Sequence, residues 1–473
     1  MTNNFFWVVF EKVTITLLNL ATLIIMGHLL MPEDYGVYGT MIIFISITET
    51  LIDAGFGGAL IQKKTLHATD VNTLFFFNLF MSLLAYAILF FAASPIEDFY
   101  DIPNLSLYFR VIGITLIFYA FSLIQVTLLN RNLEFKKSAL INITAYILSA
   151  GIAIFEACLG FGIWALISQI VLNALFLSIL YWFVNRIKIT FECSKESFVY
   201  MFKFGINTVG ANIMQTIVNN ITTSIIPKIG SANQAGLYFQ ANRINNVPNS
   251  ILTQSIDKGI FPILSKEESD IAIIEKARLM NRYFLSIITP LFPIISIFSY
   301  LVIKILLGDQ WLQASEYLAI IAYSGIAFCI QSVYRNVIKS TGKTKFILFA
   351  ETIKSIMTLI VLFSSMMYGV KFLVYAFTIS SYIGAAVWGI VLQVKFQYSL
   401  ISQITDLVKP IIASMIMLAI ITLININFDN YISVLIAPLA YALYWLISTL
   451  LLRNKELIDL TNKLSYRLLQ KGK

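Results

Sequence analysis

Polar side chains recur at helical spacing within otherwise apolar stretches of this chain. One set has intervals of three and four residues, which places its members on one face of a helix. It comprises Asn212, Gln215, Asn219 and Thr222. A second set has similar spacing and comprises Gln240, Arg243, Asn246, Ser250, Gln254 and Asp257. Such polar faces cannot be turned to lipid cheaply, so they should face water or a partner.

The first part of the chain carries a comparable set of polar residues, which adds carboxylates. Its members are Lys12, Thr16, Asn19 and Thr22, followed by Ser46, Glu49 and Asp53. Glu49 and Asp53 are four residues apart and therefore share a helix face. Two neighbouring carboxylates are candidates for binding a coupling ion, either H⁺ or Na⁺. The alternative for Asp53 is a structural capping role at the edge of the membrane.

Motifs for covalent chemistry are missing from the sequence. The segment from Ser340 to Thr344 resembles the end of a phosphate-binding loop, but Val337 stands where the loop requires its earlier glycine. The two histidines and three cysteines show neither metal-ligand nor disulfide spacing. We therefore expect no catalytic residue, no metal, no cofactor and no enzymatic activity.

The composition places these polar sets in a membrane protein. Of 473 residues, 58% are hydrophobic and 12% are charged, and the mean hydropathy is +0.81. Apolar runs of about 18 to 25 residues are long enough to cross a bilayer core of about 30 Å. We predict fourteen spans, give or take two. They lie near 7–30, 37–59, 71–93, 105–130, 139–158, 162–184, 204–226, 235–261, 283–304, 316–338, 347–367, 371–394, 410–426 and 431–452.

The distribution of basic residues predicts the orientation. Lysine and arginine concentrate in alternate connections, for example 131–137, 266–282 and 335–345, whereas the intervening connections are short and acidic. Basic loops stay on the cytoplasmic side. Both termini are therefore predicted to be cytoplasmic. The net charge of +8 follows the membrane and does not indicate a nucleic-acid partner.

An internal repeat is predicted from residues that align at an offset of about 200. Gly36-Val37-Tyr38 corresponds to Gly236-Leu237-Tyr238, and with a drift of four residues Asp53 corresponds to Asp257. Two groups of six spans would insert in the same orientation, which is a parallel repeat. The predicted domains are a six-helix lobe at 1–200, a second at 201–395, an extra helix pair at 396–452 and a basic cytoplasmic tail at 453–473.

The polar faces of spans one, two, seven and eight are predicted to line one hydrated cleft between the lobes. An arginine in mid-membrane costs at least about 2.5 kcal/mol on insertion scales, so Arg243 should face water or a partner. The alternative is that the polar groups only join helices by hydrogen bonds. Arg110, near the outer end of span four, either lines the cleft or snorkels. The candidate substrate-binding residues are Arg243, Asn219, Gln215, Asn212, Gln240, Asn246, Ser250, Lys12, Asn19 and Arg110.

Two segments resemble a known family. Met31-Pro32-Glu33-Asp34-Tyr35-Gly36-Val37-Tyr38, followed by Asp53-Ala54-Gly55-Phe56-Gly57-Gly58-Ala59-Leu60-Ile61-Gln62, is similar to the first two helices of polysaccharide flippases. These form the polysaccharide transporter branch of the multidrug/oligosaccharidyl-lipid/polysaccharide (MOP) exporter superfamily. The segments 129–136 and 261–265 resemble the family's basic turn after helix four and its end of helix eight.

The resemblance implies a fold and a function. The expected fold is an all-α, polytopic membrane protein with two six-helix lobes around a central cavity and a C-terminal helix pair. The expected activity is translocation of an undecaprenyl-diphosphate-linked oligosaccharide from the cytoplasmic to the outer leaflet of the bacterial inner membrane, driven by an ion gradient. The expected partners are this lipid-linked oligosaccharide, membrane lipids, a polysaccharide polymerase and a chain-length regulator.

Two rival functions remain at this stage. A drug or small-metabolite exporter of the same superfamily would share the lobes and the polar faces. A membrane polysaccharide polymerase or ligase would typically carry a long external loop with catalytic residues, and this sequence contains no such loop.

Overall fold

The computed structural model describes residues 2–53, 56–267, 269–343, 345–423, 436–451 and 454–459. Throughout these ranges the ordered elements are helices, and no strand occurs among them. The all-α prediction is therefore confirmed. The chain divides into two compact units, Met1–Phe239 and Gln240–Lys473. The predicted tail at 453–473 lies outside the described residues except for 454–459.

The first unit holds nine helices within its described residues, together with the start of a tenth. In chain order they are α1 (Thr2–Leu29), α2 (Pro32–Asp53), α3 (Phe56–Gln62), α4 (Ala68–Tyr100), α5 (Leu105–Ile112), α6 (Thr115–Arg131), α7 (Phe135–Cys158), α8 (Ile163–Val184), α9 (Lys195–Ile229) and α10 (Ala232–Leu264). Helix α1 packs on α7, α7 on α8, and α2 on α9. The side chains of α2, α4, α5 and α6 enclose an apolar core around Phe109 and Leu116.

The second unit continues with nine further helices in the part of the chain that is described. They are α11 (Asp270–Ile288), α12 (Leu291–Ile297), α13 (Ser299–Leu307), α14 (Ala314–Ala322), α15 (Ser324–Ser340), α16 (Lys345–Ser365), α17 (Val370–Phe396), α18 (Leu400–Leu423) and α19 (Ile436–Leu446). Helices α15 and α17 pack together around the fully buried Trp388. Tyr444 of α19 donates a hydrogen bond to the Ser286 carbonyl, which ties α19 to α11.

Eleven helical segments of the described chain are long and apolar enough to cross a membrane. They match eleven of the predicted spans, so the protein is a multi-pass membrane protein. The count of fourteen is not confirmed. The other three predicted spans correspond to α9 and α10, which are long but more polar, and to the segment around α19, where 431–435 and 452 lie outside the described residues.

One span is displaced from its predicted position. The sequence places the ninth span near 283–304, whereas the helical segment runs over Asp270–Ile297. Its first half carries Arg278 and Arg282, and a prediction from hydropathy leaves these charged residues out of the span. The helix nevertheless starts early because the Ser269 hydroxyl accepts a hydrogen bond from the Ala272 backbone amide, which is an N-cap.

Two glycines that align in the repeat bring α2 and the start of α10 into backbone contact within the first unit. A Cβ atom on Gly36 would lie 1.7 Å from the Ala232 carbonyl oxygen, and one on Gly236 would lie 1.7 Å from that of Pro32. The contact is reciprocal, because the offset of 200 relates both members of each pair. A local twofold axis between the two helices gives this geometry, and only glycine permits it.

Candidate functional site

The polar face of α9 is directed away from its own unit. Asn212, Gln215 and Asn219 are exposed, and within the described residues their side chains have no hydrogen-bond partner. Thr222, one turn further on, is buried. Interhelical hydrogen bonding would give these amides partners on a neighbouring helix. Their exposure leaves these amide groups accessible to water or to a polar ligand, whereas lipid would offer them no hydrogen bonds.

Helix α10 continues the pattern in the second unit. Gln240 is fully buried, and both polar atoms of its amide lack a partner in the described part of the chain. Arg243 is partly exposed and forms no ion pair with any described residue. Asn246 and Ser250 are exposed, and the Ser250 hydroxyl donates to the Val247 carbonyl of its own helix at 2.9 Å. Arg243 therefore offers a positive charge that no described carboxylate neutralises.

Helix α1 carries two of the candidate cleft residues, Lys12 and Asn19. Lys12 is exposed, whereas the Asn19 amide oxygen accepts a hydrogen bond from the Tyr146 hydroxyl of α7 at 3.1 Å. The Asn142 amide of α7 likewise donates to the Glu11 carboxylate at 2.6 Å. The structure thus places Asn19 in a polar seam between α1 and α7, where it joins two helices.

Arg110 lies on α5 and is held against α4. Its guanidinium donates to the Ser94 hydroxyl at 2.9 Å and stands 4.8 Å from the centre of the Phe90 ring. A cation over an aromatic face adds an electrostatic attraction of about 0.5 to 2 kcal/mol. Both contacts belong to the packing of α5 on α4, and they do not bring Arg110 together with the α9 or α10 residues.

Glu49 and Asp53 lie together on α2, as their spacing predicts. Both are partly buried, and neither has a hydrogen bond or an ion pair to a described residue. An Asp53 oxygen lies 3.5 Å from the position that a Cβ on Gly57 would take. The result is a pair of carboxylates inside the first unit that no described cation compensates.

Asp257, the repeat partner of Asp53, is surrounded by donors. Its carboxylate accepts from the Ser332 hydroxyl at 2.6 Å, from the Asn336 amide at 2.6 Å and from the Arg335 guanidinium at 3.2 Å. All three donors come from α15. The sequence analysis did not predict this network, since contacts between α10 and α15 leave no signal in local spacing.

Arg131, which aligns with Arg335 at the same offset as Asp53 with Asp257, has different contacts. Its guanidinium donates to the Leu60 carbonyl, to that of Ile61 at 3.1 Å and to that of Lys64 at 3.3 Å. The Leu60 and Ile61 carbonyls lie in the last turn of α3, and Lys64 lies just beyond it, so the cation satisfies backbone groups that have no helical partner. The aligned aspartate–arginine pair is therefore closed in the second unit and open in the first.

Glu351 and Lys354, three residues apart on α16, form an ion pair with each other. The two charges in this span therefore neutralise one another and do not contribute a free charge to a ligand site.

The sequence of this chain is similar to that of a known protein family. A family model described as polysaccharide biosynthesis protein matches residues 25–316. The chain belongs to this family. The matched region includes α2, α9 and α10, which carry most of the polar residues described above.

Two curated relatives agree with this membership. The succinoglycan biosynthesis transport protein ExoT of Rhizobium meliloti is 24% identical over 360 residues, which is 76% of this chain and 73% of ExoT. The teichuronic acid biosynthesis protein TuaB of Bacillus subtilis is 24% identical over 345 residues, 71% of this chain and 70% of TuaB. The family that the sequence resembled is thereby confirmed.

Solved structures share the fold. The lipid II flippase MurJ in an inward closed conformation superposes with a TM-score of 0.78 at 16% identity, covering 96% of this chain and 99% of MurJ. An inward-facing multidrug resistance transporter of the MATE family, in the MOP superfamily, gives a TM-score of 0.59 at 14% identity, covering 81% of this chain and 94% of that one. The fold of this chain is therefore the one that these two solved structures share.

Proposed function

We propose that this protein is a flippase that moves an undecaprenyl-diphosphate-linked oligosaccharide, a polysaccharide repeat unit, across the bacterial inner membrane. The observation that carries the proposal is the exposed, unpartnered polar face of α9 in a chain of apolar helices. This polar face does not require a ligand that is free in water. A sugar headgroup attached to a lipid also needs hydrogen bonds along its whole path across the bilayer. The names of the relatives ExoT and TuaB, both polysaccharide biosynthesis proteins, support the same substrate class.

The proposed chemistry of transport is replacement of water by protein groups. Exposed amides such as Asn212, Gln215 and Asn219 donate to and accept from sugar hydroxyls, while Arg243 binds the diphosphate. The polyprenyl chain stays in the lipid. The headgroup then loses water without losing its hydrogen bonds, which lowers the barrier at mid-membrane. No covalent bond forms or breaks, so no catalytic residue is needed.

Alternating access of two lobes is the proposed mechanism, with Glu49 and Asp53 as the site of a coupling ion. Two carboxylates without a described cation partner bind H⁺ or Na⁺ more readily than a carboxylate already in an ion pair. We propose that both termini are cytoplasmic and that a polymerase and a chain-length regulator act on the product.

Arg243→Ala tests the proposal in a strain that depends on this protein for its surface polysaccharide. We expect surface polysaccharide to be lost while the variant remains in the membrane at normal level. Arg186→Ala is a matched control, because Arg186 is exposed between α8 and α9 and has no described partner. Arg243→Lys should retain part of the activity. Normal polysaccharide output from Arg243→Ala would remove Arg243 from the site.

Reconstitution separates the flippase from the exporter of small molecules. Vesicles that contain the purified protein should move a fluorescent polyprenyl-diphosphate oligosaccharide between leaflets, with an initial rate that depends on an H⁺ or Na⁺ gradient. Accumulation of a cationic dye without lipid movement would favour the exporter. Glu49→Gln with Asp53→Asn should remove the gradient dependence, and an unchanged dependence would exclude these carboxylates as the coupling site.

A further inference from the structure

The second unit contains a charged cavity whose lining includes none of the polar residues of α10 described above. It encloses about 310 Å³ and is formed by residues of α11, α18 and the segment 454–456. Four basic side chains line it: Arg278, Arg282, Lys409 and Lys455. Only two acidic side chains, Asp406 and Glu456, line it as well. The lining therefore carries four positive and two negative charges, a difference of two.

Asp406 anchors the arginines and is itself buried, with a side chain 3% exposed. Its carboxylate accepts two hydrogen bonds from the Arg278 guanidinium, at 3.2 and 3.4 Å, and one from the Tyr398 hydroxyl at 2.9 Å. Burial is the main reason why the pKa of Tyr398 is raised. The hydroxyl therefore stays protonated and keeps donating its hydrogen bond. Arg282 forms an ion pair with Glu456, with 3.1 Å between the arginine Nε and the glutamate carboxylate.

The two lysines are left over from these pairs. Lys409 and Lys455 are exposed at the cavity and have no ion pair or hydrogen bond from the side chain to any described residue. A fixed framework of arginines with two additional uncompensated ammonium groups is complementary to a dianion. Arginine forks and ammonium groups are the usual protein partners of phosphate oxygens.

Helix α18 also carries an apolar surface for lipid chains beside the cavity. Exposed apolar residues on α18 follow one another at intervals of three and four, which places them on one face. They are Ile401, Ile404, Val408, Ile412 and Met415. Lys409 and Thr405 of the cavity lie at the edge of this apolar face. A phosphate held in the cavity would therefore place its attached hydrocarbon along α18.

We propose that this cavity binds the phosphate headgroup of an anionic membrane lipid, with the lipid chain lying along the exposed face of α18. The basic character of the surrounding connections predicts a cytoplasmic location, and basic pockets between membrane helices on that side commonly hold anionic headgroups. The site is separate from Arg243, and it does not depend on the transport function proposed above. The lipid phosphate belongs either to a phospholipid or to a polyprenyl diphosphate.

Binding of defined lipids to the intact purified protein tests the site. Phosphatidylglycerol, phosphatidylcholine and undecaprenyl diphosphate are titrated separately, and bound lipid is counted by native mass spectrometry. The test variant is Lys409→Gln with Lys455→Gln. Neither lysine has a described partner, so the fold should be retained, and an unchanged Tm in lipid-free detergent verifies it. The charge-matched control is Lys203→Gln with Lys266→Gln, two exposed lysines outside the cavity.

We expect the test variant to weaken anionic-lipid binding about 30-fold, since each lysine near an anionic lipid contributes about fivefold. The control variant and phosphatidylcholine should show no comparable change. A loss confined to phosphatidylglycerol identifies a phospholipid, and a loss confined to undecaprenyl diphosphate identifies the polyprenyl lipid. Unchanged affinity for both anionic lipids, or an equal loss in the control variant, overturns the site. Arg243→Ala should leave the binding of phosphatidylglycerol unchanged, which separates failure here from failure of the transport proposal.

Discussion

We predict that Gly36→Ala destabilises the protein, because it introduces a methyl group into the reciprocal glycine contact between α2 and α10. The new Cβ would lie 1.7 Å from the Ala232 carbonyl oxygen and 2.6 Å from its carbon. Real Cβ atoms essentially never approach closer than 3.0 Å, so the helices must separate by at least 3.0 − 1.7 = 1.3 Å. Overpacking of this kind costs about 1 to 3 kcal/mol.

A matched control distinguishes this contact from a general effect of alanine. Gly151 lies within α7, and a Cβ there meets nothing within 4 Å. Gly151→Ala should be neutral or stabilise by up to about 1 kcal/mol, because alanine favours a helix over glycine. Thermal unfolding of both purified variants in one detergent gives the comparison. An equal Tm for Gly36→Ala and the unsubstituted protein would refute the contact.

The double variant tests whether the two glycines share one contact. Gly236→Ala alone should cost about as much as Gly36→Ala, because its Cβ meets the Pro32 carbonyl at the same 1.7 Å. Once the helices have separated for one methyl group, the second meets less resistance. The double variant should therefore cost less than the sum of the single variants. An additive cost would mean that the two positions act independently.

The same substitutions report on transport if separation of α2 from α10 belongs to the cycle. A bias of about 1 to 3 kcal/mol shifts a two-state equilibrium about 5- to 150-fold. Gly36→Ala would then favour the conformation with these helices apart. We expect slower flipping in reconstituted vesicles and faster labelling of a cysteine introduced near the contact. Slower flipping without a change in labelling would contradict a population shift.

Three further substitutions address the hydrogen bonds of the two units, each measured by thermal unfolding together with polysaccharide output. Asn19→Ala removes the acceptor for Tyr146 and should cost about 0.5 to 1.5 kcal/mol while the flipping rate per folded molecule is retained; loss of transport at unchanged stability would place Asn19 in the substrate path instead. Asp257→Asn leaves Arg335 without its carboxylate and should cost about 1 kcal/mol, and an unchanged Tm would show that the ion pair is not stabilising. Asp406→Asn removes a buried, hydrogen-bonded charge and should cost about 1 to 3 kcal/mol, whereas no loss would exclude it as the anchor of the basic cavity.

Membrane insertion and helix positions were predictable from the sequence, because hydropathy acts over whole spans. Eleven of the predicted spans have counterparts among the described helices. The displaced segment Asp270–Ile297 shows where this signal ends, since Arg278 and Arg282 interrupt the hydropathy but not the helix. A serine N-cap and a charged first turn are compatible with a helix that begins in the interfacial region.

Contacts between distant helices were much less predictable. The spacing of Asn212, Gln215 and Asn219 indicated a shared face, and their exposure agrees with it. The same argument also grouped Asn19 with a cleft, whereas the Tyr146 hydroxyl holds it at the α7 interface. Local periodicity gives the side of a helix on which a residue lies. It does not say which neighbour covers that side, because this is decided by packing between residues more than a hundred positions apart.

The aligned residues Asp53 and Asp257 differ in their contacts, and this difference bears on where an ion that drives transport would bind. Asp257 is satisfied by three donors from α15, so a cation arriving there would compete with Arg335 and with two neutral hydrogen bonds. Asp53 has no such donors, because Arg131 is engaged by carbonyls at the end of α3. A charge that is already compensated gains little from binding a second cation, whereas an uncompensated carboxylate beside Glu49 gains more. Among the described residues, Asp257 therefore has a compensating cation, whereas Asp53 has none.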